Sequence, residues 1–449
     1  MSNMHKIAIP VAMLAATLAG PAAATVSDEE AKQLGTTLTP FGAEKAGNKD
    51  GTIPPYAGGV TTPPAGYVNG SGVLPDPFVA DKPLFTITAK NVDQYADKLS
   101  AASVALFKKY PDYRMDVYPT RRSAAFPKTV LDNTVKNATR CKTIENGLAV
   151  VPECRGGIPF PIPKNGDEVM WDHLLRYQGP HFDFRAKTYL IDSAGRMTMT
   201  DEFTAQQEWP YYMENASNPD IYYRVRSDKL MTRSVGVINT YYDYLNPVAT
   251  SRRAWSYSPG QRRVRVSPDF AYDTPTDSSG GVETFDDATM FSGKLDRFDF
   301  KLVGKKEMIM PYNVYQLQLT KADELLKPNF VNPDKMRWEL HRSWVVEATL
   351  KPGKRHIYSK RVFYWDEDWG GGMVDLYDGS GKIWRGKYAI STPAYNIPAP
   401  VMGSSFTYDL ANGLYVFLTH TVDTGGRPVG AQRPSSYFTP DAMAGAGIR

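Results

Sequence analysis

Downstream of Gly179 the chain alternates. Phe182, Phe184, Ala186, Thr188 and Leu190 take every second position, with Asp183, Arg185, Lys187 and Tyr189 between them. That is the period of a half-buried strand. Ser193-Ala194-Gly195 is a turn signal, and Arg196 to Thr204 continues as a partner strand. Strand-like runs recur at Ile221–Arg226, Arg252–Tyr257, Gln261–Val266, Phe298–Leu302 and Tyr315–Leu319. Others are Trp344–Leu350, His356–Trp365, Met373–Tyr377, Lys382–Tyr388 and Leu414–Thr419. Pro259-Gly260, Lys351-Pro352-Gly353-Lys354 and Asp378-Gly379-Ser380-Gly381 join neighbours through tight turns. Connections that short make neighbouring strands antiparallel.

Upstream the period is helical. Residues 91–109 carry Ala96, Leu99, Ala102, Ala105 and Leu106 at helical spacing, with Asn91 and Gln94 as a capping arrangement. A second helix follows Pro127 through Val130, Leu131 and Val135, and a third spans Asp167 to Tyr177. The Pro-rich stretch Gly156 to Pro163 between them is an extended connector. Residues 25–81 are rich in Gly, Pro and Thr and predict an extended arm, with Ser27 to Ala31 as one capped helical turn. The pattern predicts a single α+β domain over 82–449, its helices mainly in 91–177 and its antiparallel sheet mainly in 180–420. A sheet of about a dozen strands rarely stays open and flat. The expected architecture is therefore a large curved antiparallel sheet, an open or half barrel, wrapped around a few helices.

Residues 1–24 change the setting. Lys6 precedes an apolar run from Ile7 to Gly20, and Ala22-Ala23-Ala24 follows, the order of a secretory signal cleaved near Ala24. The run is shorter than the ~20 residues of a membrane span, and no later segment approaches one. Net charge is +4, too balanced for a nucleic-acid partner. Export also governs Cys141 and Cys154, the two cysteines of the chain. An oxidising compartment favours a disulfide between them, and two thiols alone cannot complete a zinc site.

Few residues suggest chemistry. No His-Glu-x-x-His or Gly-x-Ser-x-Gly pattern is present. His173 falls on an apolar helix face and reads as a core residue; His356 opens a strand after a basic turn. Asp366-Glu367-Asp368 could divide acid and base roles or hold a hard cation. Followed by Trp369 and three glycines, however, the triplet reads first as a solvated or salt-bridging turn. Arg262, Arg263 and Arg265, enlarged by Arg252 and Arg253, form a basic patch that is either a solvated face or a surface for anionic headgroups. These readings give no catalytic residue, metal ligand or cofactor.

Five segments carry a resemblance: LGTTLTPFGAEKAGNKDGTIP from Leu34, GGIPFPIPKNG from Gly156, WSYSPGQRRVRVSP from Trp255, LVGKKEMIMPYN from Leu302 and RHIYSKRVFYWDEDW from Arg355. They resemble a bacterial domain-of-unknown-function family related to the outer-membrane lipoprotein-sorting proteins LolA and LolB. The resemblance implies a curved sheet with an apolar cavity for acyl chains and residence in the periplasm. It also implies work beside a resistance-nodulation-division type permease and an outer-membrane barrel protein. It carries no catalytic residues. This chain is much longer than the small carriers, so its own segments could fill part of such a cavity.

The expected function is a periplasmic, non-enzymatic carrier or binding protein for a lipid or other hydrophobic molecule. Its expected wall is Trp255, Tyr257, Val264, Val266, Phe298, Phe300, Leu317, Leu319, Trp344 and Val346. The alternatives are an enzyme acting on a hydrophobic or polymeric substrate, and a structural adaptor between inner- and outer-membrane components.

Overall fold

The alternation after Gly179 closes into a hairpin at the turn that the sequence marks. Asp192 accepts from the backbone of Ala194 and Arg196, and Gly195 takes a left-handed φ of 80°, a conformation that costs glycine little. A computed structural model describes residues 26–268 and 270–446; the expected secretory signal over 1–24 lies outside the described residues. In chain order the strands are β1 (Phe85–Thr88), β2 (Arg114–Val117), β3 (Thr143–Ile144), β4 (Ala149–Val150), β5 (His181–Ile191), β6 (Met197–Glu208), β7 (Ile221–Lys229), β8 (Ile238–Tyr244) and β9 (Arg253–Ser258). They continue as β10 (Arg263–Val266), β11 (Phe298–Pro311), β12 (Trp338–Leu350), β13 (Lys360–Asp366), β14 (Gly372–Tyr377), β15 (Ile383–Ser391), β16 (Met402–Asp409) and β17 (Leu414–His420). The principal helices are α1 (Asp28–Ala31), α2 (Ala101–Lys109), α3 (Lys128–Arg140) and α4 (Gly166–Leu174).

Capping decides the helix boundaries. Ser27 and Glu30 form a reciprocal capping box on α1, as the sequence predicts. The single helix expected over 91–109 is broken instead: a 3-10 segment covers Val92–Lys98, and α2 starts afresh where the Ser100 hydroxyl accepts from the Ser103 backbone. Asn91 caps nothing, because its side-chain oxygen accepts from Thr88. The Cys141–Cys154 disulfide closes the end of α3 and spans 13 residues. In the chain-entropy view, a loop of this size contributes about 3 kcal/mol.

Fifteen strands form one sheet, in the order β1-β2-β12-β13-β14-β15-β16-β17-β5-β6-β7-β8-β9-β10, with β11 branching from β12. The expected curved half barrel of the LolA/LolB kind is overturned. The sheet is open, with β1 at one end and β10 at the other, and mixed, because β2 meets β12 in parallel at Val117 and Trp338. It is not closed or curled into a barrel. The physical reason lies in the central strands, which are apolar on both faces. One face carries a continuous cross-strand row, Val345, Tyr364, Met373, Tyr388, Phe406, Phe417 and Tyr189, packed with Leu106, Phe107 and Leu317 into one core. The opposite face carries Val346, Phe363, Val374 and Ala389, packed with α4 through Val169, Met170 and Trp171 into a second core. A sheet apolar on both faces must be covered on both, which leaves no bare concave face to wrap around helices.

One short run also changes class. Tyr315–Leu319, expected as a strand, contains the helical turn Tyr315–Gln318. β1, β2, β8 and β16, which alternation did not single out, complete the sheet.

Candidate functional site

A cavity of about 300 Å³ opens beside the start of β5. Three stretches of chain converge there. The arm contributes Val73 and Leu74; the β15–β16 connection contributes Ala394, Ile397 and Val401; and the chain after β17 returns through Arg427 and Val429. The returning chain bridges β5 at Phe182 and Val429. It meets the arm at backbone contact, with the Arg427 amide donating to the Gly72 carbonyl at 2.8 Å. A Cβ on Gly426 would lie 2.3 Å from that carbonyl oxygen, and Gly426 has a φ of 74°, so glycine is required at the crossing. Phe182 and Leu319 supply further apolar wall.

Arg427 is the charged group in this lining. Its guanidinium lies over Phe182 at 4.4 Å and Phe184 at 4.8 Å. It donates to the Gly403 carbonyl at 3.1 Å and to the Gln207 side-chain oxygen. These bonds use two of five N–H donors, and the enclosed Nε has no acceptor. No carboxylate lies within ion-pair distance of Arg427 among the described residues. Burial pulls its pKa down to about 10, against a favourable contribution from Tyr223. Outside the lining, buried Arg176 donates to the carbonyls of His173 and Thr289, and its Nε likewise has no acceptor. Burial pulls this group to about 9, and Arg427 adds to the shift. The Asn396 side-chain oxygen, also in the lining, is buried without a donor.

A second constellation, inside the sheet, gathers the acidic triplet. Glu339 and His341 share one face of β12, and Asp366 ends β13. His341 lies between Asp366 at 3.2 Å and Glu339 at 3.0 Å, stacked on Tyr312 at 4.0 Å. Burial opposes its charge, but the Asp366 and Glu339 carboxylates prevail and push its pKa up to about 10. Asp368 accepts both arms of the Arg122 fork at 3.0 and 2.7 Å. Glu367 receives Lys305 at 2.8 Å and Arg342 at 3.2 Å. The turn is built for this: Trp369 takes a φ of 60°, and a Cβ on Gly370 would lie 2.3 Å from the Tyr312 hydroxyl. The triplet is therefore a salt-bridging turn, but a buried one. His341, Asp366 and Asp368 each bring a ligand atom within 4.8 Å of the others, close enough to hold a metal. A proton on His341 and the Arg122 guanidinium already supply the positive charge there. None of these residues lines the cavity beside β5.

The residues expected to form one binding wall are distributed over the molecule. Phe298, Phe300, Trp344 and Val346 pack together in the core on the α4 face. Trp255, Tyr257 and Val264 form a separate small cluster with Ile238 and Met443, while Val266 is 71% exposed. Leu317 belongs to the core on the other face, and Leu319 lines the cavity. His173 stacks on Trp365 at 3.7 Å in the core. His356 faces Asp286 at 3.0 Å within an ion-paired group that includes Arg361. Arg263 and Arg265 are exposed, but Arg252 turns inward to Asp243 at 2.7 Å and does not enlarge the basic patch. Sequence reasoning missed Arg427 and Arg176. Gly425-Gly426-Arg427-Pro428 signals a turn, but nothing local reveals that the arginine lacks a carboxylate.

The family model described as protein of unknown function (DUF1329) matches residues 86–444. An uncharacterized protein of Pseudomonas aeruginosa is 41% identical over 455 residues, spanning 99% of each chain. Three solved structures are similar at low identity. A domain provisionally described as an outer membrane lipoprotein-sorting protein, from Vibrio parahaemolyticus, aligns with a TM-score of 0.43 at 11% identity, covering 62% of this chain and 97% of that one. A DUF1329 family protein from Desulfovibrio piger gives 0.39 at 12%, covering 59% and 92%. A LolA superfamily protein from Nitrosomonas europaea gives 0.35 at 10%, covering 62% and 100%.

Proposed function

The chain belongs to the DUF1329 family, and we propose that it is a periplasmic, non-enzymatic binding or carrier protein whose hydrophobic cargo enters the cavity beside β5. The cavity carries this reading. Its volume, about 300 Å³, is at the small end of the range for ligand sites, and such sites are mostly apolar with a few placed polar groups. A single chain suits that space better than a two-chain lipid. Burying each methylene contributes about 0.8 kcal/mol, so a ten-carbon chain gains roughly 8 kcal/mol before the cost of ordering it. The strongest acid–base constellation, around His341, is enclosed and occupied by its own ion pairs, which favours carriage over catalysis. Its partners are the cargo and, following the resemblance in its sequence, an envelope permease and an outer-membrane barrel protein.

Leu319 is a site for a direct test, because it lines the cavity and is 37% exposed, so a larger side chain there can be tolerated by the fold. Leu319→Trp is expected to weaken binding of a neutral fluorescent alkyl probe about tenfold or more, with an unchanged circular dichroism spectrum. Binding that is unaffected by the substitution, or absent from the wild type, defeats the proposal.

A further inference from the structure

We infer that the cargo is a single-chain amphiphile with an anionic head, a carboxylate or a phosphate monoester, and that Arg427 selects it. The inference rests on the cavity being the cargo site and adds the chemistry of the head.

Two observations carry it. Arg427 lines an otherwise largely apolar cavity with two donors engaged, both by neutral acceptors. Guanidinium groups elsewhere in the interior are matched to carboxylates: Arg122 to Asp368, Arg224 to Glu208, Arg252 to Asp243 and Arg361 to Asp286. Arg427 departs from that matching inside the cavity, as Arg140 and Arg155 do away from it, where they too donate to neutral acceptors. Secondly, Arg176 stands close enough to feel Arg427 and also lacks a carboxylate. Arg176 is buried and Arg427 half-buried, and like charges drawn out of water without a counterion are costly. Phe182 and Phe184 offset part of that cost through their ring faces. An anion entering the cavity would offset more, because a guanidinium fork matches the oxygens of carboxylate and phosphate. The apolar wall of Phe182, Leu319, Ile397 and Val401 would take the tail. A carboxylate and a phosphate present the same chemistry to Arg427, so titration separates the two sources.

The experiment is calorimetric titration of the full chain with decanoate, decyl phosphate and decanol, for wild type, Arg427→Gln and Arg427→Lys. The wild type should bind at least one of the two anions about tenfold or more tighter than decanol, the scale of a charge-assisted hydrogen bond. The anion bound more tightly identifies the source. Arg427→Gln should abolish that preference, bringing the anions to the affinity of decanol measured on the same variant; Arg427→Lys, which keeps the charge without the fork, should retain part of it and guards against a misfolded glutamine variant. Decanol binding as tight as both anions overturns the inference while the cavity reading survives. An anion preference that Arg427→Gln leaves unchanged also overturns it, since the head must then sit elsewhere. Failure of all three ligands to bind the wild type removes the cavity reading and this inference with it.

Discussion

His341 is where a single residue has most leverage on this molecule. Held between Glu339 and Asp366 and almost wholly buried, it has a pKa raised from 6.5 to about 10. A group whose folded pKa lies above its unfolded value stabilises the fold fully below the unfolded value. That contribution is lost as pH rises through the folded value. The window is therefore from about 6.5 to about 10, and the contribution is of the order of a few kcal/mol. Thermal melting across that window should show the wild type losing stability more steeply than His341→Gln, which starts lower and stays flatter. Parallel curves would mean that His341 is not charged in the fold. At this scale the sequence was partly legible. The triplet after Trp365 stood out by composition, but its partners Arg122 and Arg342 lie far away in the chain, and local pattern cannot register such a distance. Arg427 was illegible for the complementary reason, since its distinction is the absence of a partner.

At the scale of the element, docking geometry on the sheet decides boundaries that periodicity leaves blurred. The N-terminus of α2 rests on Asp375 of β14, whose carboxylate accepts from the Ala101 and Ala102 amides at 2.7 and 3.0 Å. Negative charge at this end of a helix is favourable, and an unpaired amide there is not. Room for the contact comes from Gly386 on β15, where a Cβ would lie 2.4 Å from the Ala102 Cβ. Asp375→Asn should cost about 1–2 kcal/mol, and Gly386→Val should cost more by lifting the helix, both read as shifts in urea midpoint. A Gly386→Val variant as stable as the wild type would show that α2 does not sit so close. These anchors explain the broken helix over 91–109: its apolar spacing was readable, but the restart at Ser100 is set by Asp375, more than 270 residues away. The run Tyr315–Leu319 failed similarly. Short apolar runs fit a strand or a helical turn equally well, and burial of Tyr315 and Leu317 against the sheet selected the turn.

Across the whole molecule, what the alternation did not reveal is that the sheet is wanted on both sides. Most of β5 does alternate between buried and more exposed positions, whereas β13, β14 and β15 are buried almost throughout. Near-continuous burial of that kind marks the middle layer of three, and it distinguishes this architecture from a half barrel whose inner face awaits a ligand. The distinction can be measured on β14. Leu376 belongs to the core beside α4, and Met373 to the core beside α2. In a middle-layer strand each truncation opens a cavity in close-packed protein, so Leu376→Ala and Met373→Ala should each cost roughly 2–5 kcal/mol. In a strand facing an open cavity on one side, the substitution on that side would cost far less, because water or ligand already borders it. Urea denaturation of the two variants separates the cases. Two large losses confirm a sheet clamped between cores and leave the proposed cargo the cavity beside β5, whereas one large and one negligible loss would point to an open face of the sheet.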